Sequence, residues 1–142
     1  MRARAVPDTL ERRRRCPLSS PKVLLVDDDQ EVLEFLHTLL EVEGFSTVMA
    51  ADASLALQAL RDGEVRLILL DIAMPEIDGL QLCRQIKSDP QFARIPVVVV
   101  SARPGQHVEE EARAAGADDF MRKPFDNDEL LSLLQGRLGA SA

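Results

Sequence analysis

The sequence predicts an α/β fold, a doubly wound five-stranded parallel sheet built from five βα units, (βα)5. From Lys22 onward, short apolar runs alternate with segments whose apolar residues recur at helical spacing, which is typical of repeated βα units. The runs VLLV, LILL and VVVV are unbroken, as expected for parallel strands that helices cover on both faces. These observations together favour one sheet with helices on both sides.

The first two units are predicted between Val23 and Gly63. The run at 23–26 is the first strand, and a helix follows from about Glu31 to Glu43, ended by Gly44. Its apolar residues form one stripe: Val32, Leu33, Leu36, Leu39 and Leu40. The second strand is predicted at 45–50 and the second helix at 53–61, ended by Gly63, with Leu57 and Leu60 facing inward.

The remaining three units follow in the same order. Strands are predicted at 65–71, 95–101 and 118–122, and helices at 80–87, 108–115 and 127–138. Gly116 ends the fourth helix, and Asp126 or Asn127 caps the last one. Because right-handed crossovers between five strands permit few arrangements, we expect the flavodoxin-like strand order 2-1-3-4-5.

Charge divides the chain into an N-terminal tail and an acidic body. Residues 1–20 carry six Arg against Asp8 and Glu11, which leaves 11 basic and 22 acidic residues for the rest. We predict a disordered Arg-rich tail at 1–21, one domain at 22–138 and a short C-terminal tail at 139–142. The Arg-rich tail could contact nucleic acid, anionic lipid or the acidic body, or be an over-extended start of the reading frame. The acidic body argues against a nucleic-acid-binding domain.

The sequence indicates a cytoplasmic location. Its apolar runs are far shorter than the roughly 20 residues that a membrane-spanning helix needs, and the N-terminus lacks the apolar region of a secretory signal. Cys16 and Cys83 are too few for a disulfide framework or a metal site, and Cys83 is expected in the core.

Polar side chains follow four of the predicted strands. In the expected strand order, ligands bind outside the carboxyl ends of the strands, between the first and the third. Those ends carry Asp27, Asp28 and Asp29 after the first strand, then Asp71, Ser101 and Lys123 after the third, fourth and fifth. Each of these residues alone has an ordinary explanation as a turn, cap or surface residue, but their joint placement at one edge predicts a site.

The residue types at this edge predict phosphoryl transfer. Converging carboxylates repel one another unless a cation neutralises them, and a set of oxygen ligands suits Mg²⁺ better than zinc. Ser101 can donate a hydrogen bond to a phosphoryl oxygen, and Lys123 can supply positive charge. The parts are therefore a carboxylate nucleophile, a metal, a cation and a hydroxyl donor, and the expected product is an aspartyl phosphate.

The four motifs VLLVDDD, LILLDIAMPEIDG, IPVVVVSA and GADDFMRKPF resemble the receiver domain of bacterial two-component response regulators, over residues 22–138. The resemblance implies that Asp27 and Asp28 hold Mg²⁺, that Asp71 is phosphorylated, and that the backbone carbonyl of Ala73 joins the metal shell. It further implies that Ser101 and Lys123 close on the phosphoryl group. Asp29 falls just beyond the metal pair and is expected to start the first helix.

The resemblance also implies how the site communicates with the surface. Pro124 resembles the proline that follows a cis peptide bond and holds Lys123 toward the site. Phe120 occupies the place of a rotating aromatic residue, although it lacks the hydroxyl of the common Tyr, and it could equally be an ordinary core residue. Arg103 resembles a position beside the path of attacking water, where it could retain the phosphoryl group or face solvent.

The predicted function is a phosphorylation-dependent signalling switch in a two-component phosphorelay. A histidine kinase or phosphotransfer protein is the expected donor, because His37 and His107 lie on predicted helices away from the carboxylates. Only four residues follow Leu138, so we expect no output domain, no direct DNA binding, and action through an unknown downstream protein. The chain is expected not to be an enzyme beyond its own Mg²⁺-dependent phosphorylation and dephosphorylation.

Two other functions fit parts of the sequence. Asp27 and Asp29 have the Asp-x-Asp spacing of haloacid-dehalogenase-type phosphatases, but Glu31 replaces the usual Thr or Val and no cap domain is seen. A scaffold that keeps the fold without being phosphorylated is the other alternative, although the complete set of acidic residues argues against it. The residue that receives the phosphoryl group distinguishes the three.

Overall fold

The computed structural model describes residues 22–71, 79–101 and 107–138. The predictions for the tails at 1–21 and 139–142, for Cys16, for Ala73 and for Arg103 lie outside the described residues.

Within these residues, five strands alternate with five helices. They are β1 (Lys22–Val26), α1 (Gln30–Val42), β2 (Ser46–Ala50), α2 (Ala53–Asp62), β3 (Val65–Asp71), α3 (Gly79–Ser88), β4 (Val97–Ser101), α4 (His107–Ala114), β5 (Asp119–Arg122) and α5 (Asn127–Leu138). All strand pairs are parallel, in the order β2-β1-β3-β4-β5. The predicted fold class and strand order are therefore confirmed.

Successive side chains of each strand point to opposite faces of the sheet, so the core has two halves. On one face, Leu25 of β1 and Met121 of β5 pack with α1 and α5. On the other face, Leu24 of β1 and Val99 of β4 pack with α2, α3 and α4. Within the described residues, no helix is long and apolar enough to cross a membrane.

Glycines end three of the helices, as predicted. Gly44, Gly63 and Gly116 have positive φ angles of 95°, 92° and 106°, a region that glycine enters without steric cost. After α1, the N–H groups of Gly44 and Phe45 donate to Glu41 and Leu40, which is a Schellman motif. The apolar residue of that motif, Phe45, is buried.

The largest boundary difference lies at the start of β4, and β5 also begins later than predicted. β4 begins at Val97 rather than at residue 95, and β5 begins at Asp119 rather than Asp118. Asp118 directly precedes the strand, and its carboxylate accepts hydrogen bonds from the Val97 backbone N–H and the Lys87 ammonium, both at 2.9 Å. Because these contacts join residues that are distant in sequence, no local sequence pattern predicts them.

Cys83 of α3 is a core residue, as predicted. Its side chain is fully buried and its thiol donates to the carbonyl of Ala115 at 3.5 Å. Burial raises the pKa of this thiol to about 11. The thiol is therefore protonated at neutral pH and unreactive.

Candidate phosphoryl-transfer site

The carboxyl ends of four strands bring the predicted polar side chains to one edge of the sheet. Asp27 directly follows β1, Asp71 and Ser101 are the last residues of β3 and β4, and Lys123 directly follows β5. Asp27, Asp71 and Ser101 are buried polar residues, with relative exposures of 3%, 9% and 0%. Strand pairing fixes their relative positions along the strand direction, since Asp71 pairs with Val100, the residue before Ser101.

Three carboxylates converge at this edge. One oxygen each from Asp27, Asp28 and Asp71 lie within 4.8 Å of one another. Asp28 is exposed, so the cluster opens to solvent on that side. These are oxygen ligands that a hard divalent cation prefers, and they leave coordination positions for water or a phosphoryl oxygen. The residues present therefore fit Mg²⁺.

Lys123 places positive charge between two of these carboxylates. Its ammonium nitrogen lies 3.3 Å from Asp27 Oδ2 and 3.5 Å from Asp71 Oδ2. Its backbone N–H donates to the carbonyl of Ser101 at 2.9 Å, which ties the end of β5 to the end of β4. The peptide bond between Lys123 and Pro124 is cis. The backbone hydrogen bond to Ser101 and the two ion pairs thereby hold Lys123 beside the carboxylate of Asp71.

Asp27 has the clearest electrostatic signature of the site. Its pKa is raised from 3.8 to about 6, mainly because the carboxylate is buried and also because the charge of Asp71 lies nearby. The hydrogen bond from the Asp29 backbone N–H and the charge of Lys123 act in the opposite direction and only partly offset burial. The ionised Asp27 is thus unfavourable in its surroundings, and a bound cation would relieve this.

Asp29 has a different task from Asp27. Its side chain accepts a hydrogen bond from the Glu31 backbone N–H at 3.0 Å and caps α1. The sequence predicts this role at the start of the helix, and the capping hydrogen bond directs the carboxylate to the backbone of α1. A phosphatase of the Asp-x-Asp type would need the Asp29 carboxylate in the site, so the capping contact argues against that alternative.

Phe120 lies on β5 on the face covered by α2, α3 and α4. Its ring is partly buried and packs against that half of the core. The guanidinium carbon of Arg122 lies 5.4 Å from the ring centroid. The sequence reasoning missed Arg122, although its position two residues after Phe120 in a strand indicates that both side chains share a face.

The two histidines lie on helices, and neither belongs to the cluster of Asp27, Asp28 and Asp71. His107 begins α4 and its side chain is 91% exposed. His37 of α1 contacts the hydroxyl of Thr47 on β2, so it joins two elements rather than simply facing solvent.

Comparisons with known proteins agree with this geometry. The sequence model of the response regulator receiver domain matches residues 23–135. Protein PilG of Pseudomonas aeruginosa is 32% identical over 117 residues, which is 82% of this chain and 87% of PilG. Protein RcaC of Microchaete diplosiphon is 35% identical over 133 residues, which is 94% of this chain but 20% of RcaC. The chain also spans about half the length of two transcriptional regulatory proteins that it matches, GltR of Pseudomonas aeruginosa and the CpxR homolog of Haemophilus influenzae.

Solved structures show the same fold. The chemotaxis protein CheY4 of Vibrio cholerae superposes with a TM-score of 0.78 at 26% identity, over 83% of this chain and 98% of CheY4. A two-component response regulator from Clostridium difficile also superposes with a TM-score of 0.78, at 25% identity, over 84% of this chain and 96% of that protein.

Proposed function

Because this chain belongs to the response regulator receiver domain family, we propose that it accepts a phosphoryl group on Asp71 and acts as a phosphorylation-dependent switch of a two-component phosphorelay. Receiver domains are signalling switches that bind Mg²⁺ at an acidic pocket. The observation that carries the proposal is the convergence of Asp27, Asp28 and Asp71 beside the ammonium of Lys123. The proposed switch occupies residues 22–138, and its proposed donor is a histidine kinase or a phosphotransfer protein.

The proposed reaction moves a phosphoryl group from nitrogen to oxygen. A carboxylate oxygen of Asp71 attacks the phosphorus of a phosphohistidine, a P–O bond forms and the P–N bond breaks. The imidazole of the donor keeps the electron pair and takes a proton from solvent. Asp71 suits the role of nucleophile because it ends β3 at the open edge of the sheet while its neighbours hold its side chain.

Asp27, Asp28 and Asp71 would hold the cation, together with the backbone carbonyl of Ala73. When bound, Mg²⁺ would offset the negative charge of the carboxylates and of the phosphoryl oxygens. Lys123, already beside Asp27 and Asp71, would pair with a phosphoryl oxygen. Ser101, at the end of the neighbouring strand, would donate a hydrogen bond from its hydroxyl group to another phosphoryl oxygen.

The new charge on Asp71 would then shift a conformational equilibrium. Drawing Ser101 and Lys123 toward the phosphoryl group pulls on the ends of β4 and β5, which their backbone hydrogen bond joins. Phe120 lies on β5, whose end would move. We propose that its ring rotates inward when the strand end shifts and so couples the site to the surface. The surface formed by α4, β5 and α5 would thereby gain affinity for a downstream protein.

The phosphodonor is proposed to dock on a groove that adjoins the site. Val32 and Phe35 of α1 line one wall, and Pro124 and Phe125 line the other. Lys123 lines both this groove and the cavity beside Asp27 and Asp71, so the groove and the cavity lie on either side of one side chain. Phe35 is 54% exposed, and Asp29 and Glu31 add negative charge at the rim. An apolar helix face flanked by basic residues complements such a groove.

The test is the intact mass of the protein after incubation with acetyl phosphate, with and without Mg²⁺. We expect one phosphoryl adduct on the wild type that requires Mg²⁺, as the P–O bond of the donor breaks and acetate leaves. Asp71→Ala should abolish the adduct. Asp29→Asn is the matched control, because asparagine also caps helices and the variant should be phosphorylated like the wild type.

Other outcomes would change the assignment. An adduct that persists in Asp71→Ala and maps to Asp27 would favour the phosphatase chemistry. A wild type that gains no adduct from acetyl phosphate, from phosphoramidate or from a phosphorylated histidine kinase would be a scaffold. Partner binding that is unchanged by Asp71→Asn would point the same way.

A further inference from the structure

The side chain of Arg122 covers the proposed switch residue. Phe120 and Arg122 are two apart in β5, so their side chains leave the same face of the sheet, whereas Met121 between them packs on the opposite face. The guanidinium carbon lies 5.4 Å from the centroid of the Phe120 ring, which is within the range of a cation–π contact. Arg122 is exposed and Phe120 is partly buried.

Arg122 also lies directly beside the groups that would sense the phosphoryl group. It pairs with Ser101 in the parallel ladder between β4 and β5. The next residue, Lys123, donates its backbone N–H to the Ser101 carbonyl and directs its ammonium to Asp27 and Asp71. The strand end that would move on phosphorylation therefore carries the cation that covers the ring.

The hydration of Arg122 allows this contact in only one of the two orientations of the Phe120 ring. A guanidinium at the protein surface keeps its contact with water, so it can cover the ring only while the ring lies at the surface. A ring that rotates inward, toward the fully buried Ser101, leaves the cation behind. The contact therefore stabilises the outward ring and opposes the inward one.

We propose that Arg122 is a positioning residue that holds Phe120 outward and thereby biases the switch against its phosphorylated form. This inference rests on the proposed function, since it takes Phe120 as the coupled aromatic residue. By linkage, a contact that favours the outward ring must lower the affinity of Asp71 for a phosphoryl group to the same extent. A surface cation–π contact corresponds to a roughly two- to fivefold change in such an equilibrium.

A simple charge effect would have the opposite sign. A positive charge near the site attracts an anionic phosphoryl group, so its removal by itself should weaken binding. If Arg122 acts through the ring, its removal should strengthen binding instead. The sign of the change therefore separates the two explanations.

The experiment uses beryllofluoride with Mg²⁺, which mimics a phosphoryl group on a carboxylate, and measures its Kd by isothermal titration calorimetry. Arg122→Gln should bind about two- to fivefold more tightly than the wild type. In a Phe120→Leu background the same substitution should have no such effect, which is the double-mutant test of contact between the two side chains. Arg113→Gln, on α4, is the control for loss of one exposed arginine.

The outcomes distinguish this inference from the proposed function. If the wild type binds beryllofluoride and Arg122→Gln binds equally or more weakly, the positioning role is wrong and the switch chemistry stands. A tightening that persists in the Phe120→Leu background would also overturn it. A wild type that does not bind beryllofluoride, although Mg²⁺ is present, would contradict the proposed function itself.

Discussion

At the residue scale, Asp118 connects three segments at the edge of the sheet opposite the candidate site. Its carboxylate accepts from the ammonium of Lys87 and from the N–H of Val97, each at 2.9 Å. The same ammonium donates to the carbonyls of Ala93 and Ile95. One ion pair thus joins the end of α3, the start of β4 and the start of β5.

Asp118→Ala should lower the free energy of unfolding by about 2 kcal/mol at pH 7, because it leaves Lys87 and the Val97 N–H without this acceptor. Burial raises the pKa of Asp118, but the hydrogen bonds from Lys87 and Val97 and the nearby cations outweigh it, so the pKa is lowered overall. A lowered pKa stabilises the fold above the pKa of the unfolded chain, 3.8, and this contribution is lost as the pH falls through the folded value.

Urea unfolding between pH 7 and pH 3 measures this difference. The gap between wild type and Asp118→Ala should narrow at the acid end. Asp62→Ala, an exposed aspartate at the end of α2, is the control and should change stability by less than about 0.5 kcal/mol. A gap that stays constant over this range would show that Asp118 acts by packing rather than by charge.

At the element scale, the glycine that ends α4 has a steric role as well as a conformational one. Gly116→Ala should destabilise the protein by about 1–3 kcal/mol, because its φ of 106° is unfavourable for alanine. The added Cβ would also lie 2.8 Å from Cγ of Lys87, whose ammonium is fixed by its three hydrogen bonds. Urea midpoints give the measurement.

Two other glycines provide matched controls for that prediction. Gly63→Ala keeps the positive φ but meets no described atom within 4 Å, so it should cost less than Gly116→Ala. Gly136→Ala lies in α5 with open space around it and should stabilise the helix by roughly 0.5–1 kcal/mol. Equal effects at Gly63 and Gly116 would show that the contact with Lys87 contributes nothing.

Helix α1 carries a row of apolar residues beside its buried face. Leu33, Leu36 and Leu40 are buried, whereas Phe35 and Val42 are 54% and 77% exposed. Of the two exposed residues, Phe35 lines the groove that reaches Lys123. A donor that docks in this groove would bury the exposed ring of Phe35.

Phe35→Ala should lower kcat/KM for phosphotransfer from a histidine kinase that phosphorylates the wild type by about tenfold, because a buried aromatic anchor at an interface is lost. Phosphorylation by acetyl phosphate should be unchanged, since a small donor needs no docking surface. Val42→Ala removes an exposed apolar side chain from the same helix outside the groove and should leave both rates unchanged. Equal losses in both variants would indicate an effect on α1 itself.

At the scale of the whole molecule, the features that follow from local sequence patterns can be predicted. Contacts between residues that are distant in sequence cannot. Runs such as VVVV and the ends of the strands predict the sheet, its order and the convergence of Asp27, Asp71 and Lys123. The contact between Lys87 and Asp118 spans 31 residues and has no such pattern. The two-residue spacing of Phe120 and Arg122 indicates that they share a face, but the pairing of Arg122 with Ser101 on another strand has no local pattern.

The candidate site and the stability of the molecule make opposing demands on Asp27. Its pKa is raised to about 6, so the fold favours the protonated carboxyl over the ionised one. The protonated carboxyl therefore contributes stability at low pH, and this contribution is lost as the pH rises through about 6. Asp27→Asn removes the charge but keeps an oxygen for the Asp29 N–H. Without Mg²⁺, the variant should therefore unfold a few degrees higher than the wild type at pH 8, and the difference should shrink at pH 5.

Mg²⁺ should reverse the order of the two proteins. At about ten times its Kd, a cation that binds only the folded state adds about 1.4 kcal/mol, or roughly 4 °C in Tm, to the wild type. Asp27→Asn has lost one carboxylate and should gain much less. Thermal unfolding at pH 8 with and without MgCl₂ measures both increments, with Asp62→Ala as the control that should respond like the wild type. An equal gain in Asp27→Asn would place the cation elsewhere, and a variant less stable than the wild type without Mg²⁺ would mean that the Lys123 ion pair outweighs the burial of the charge.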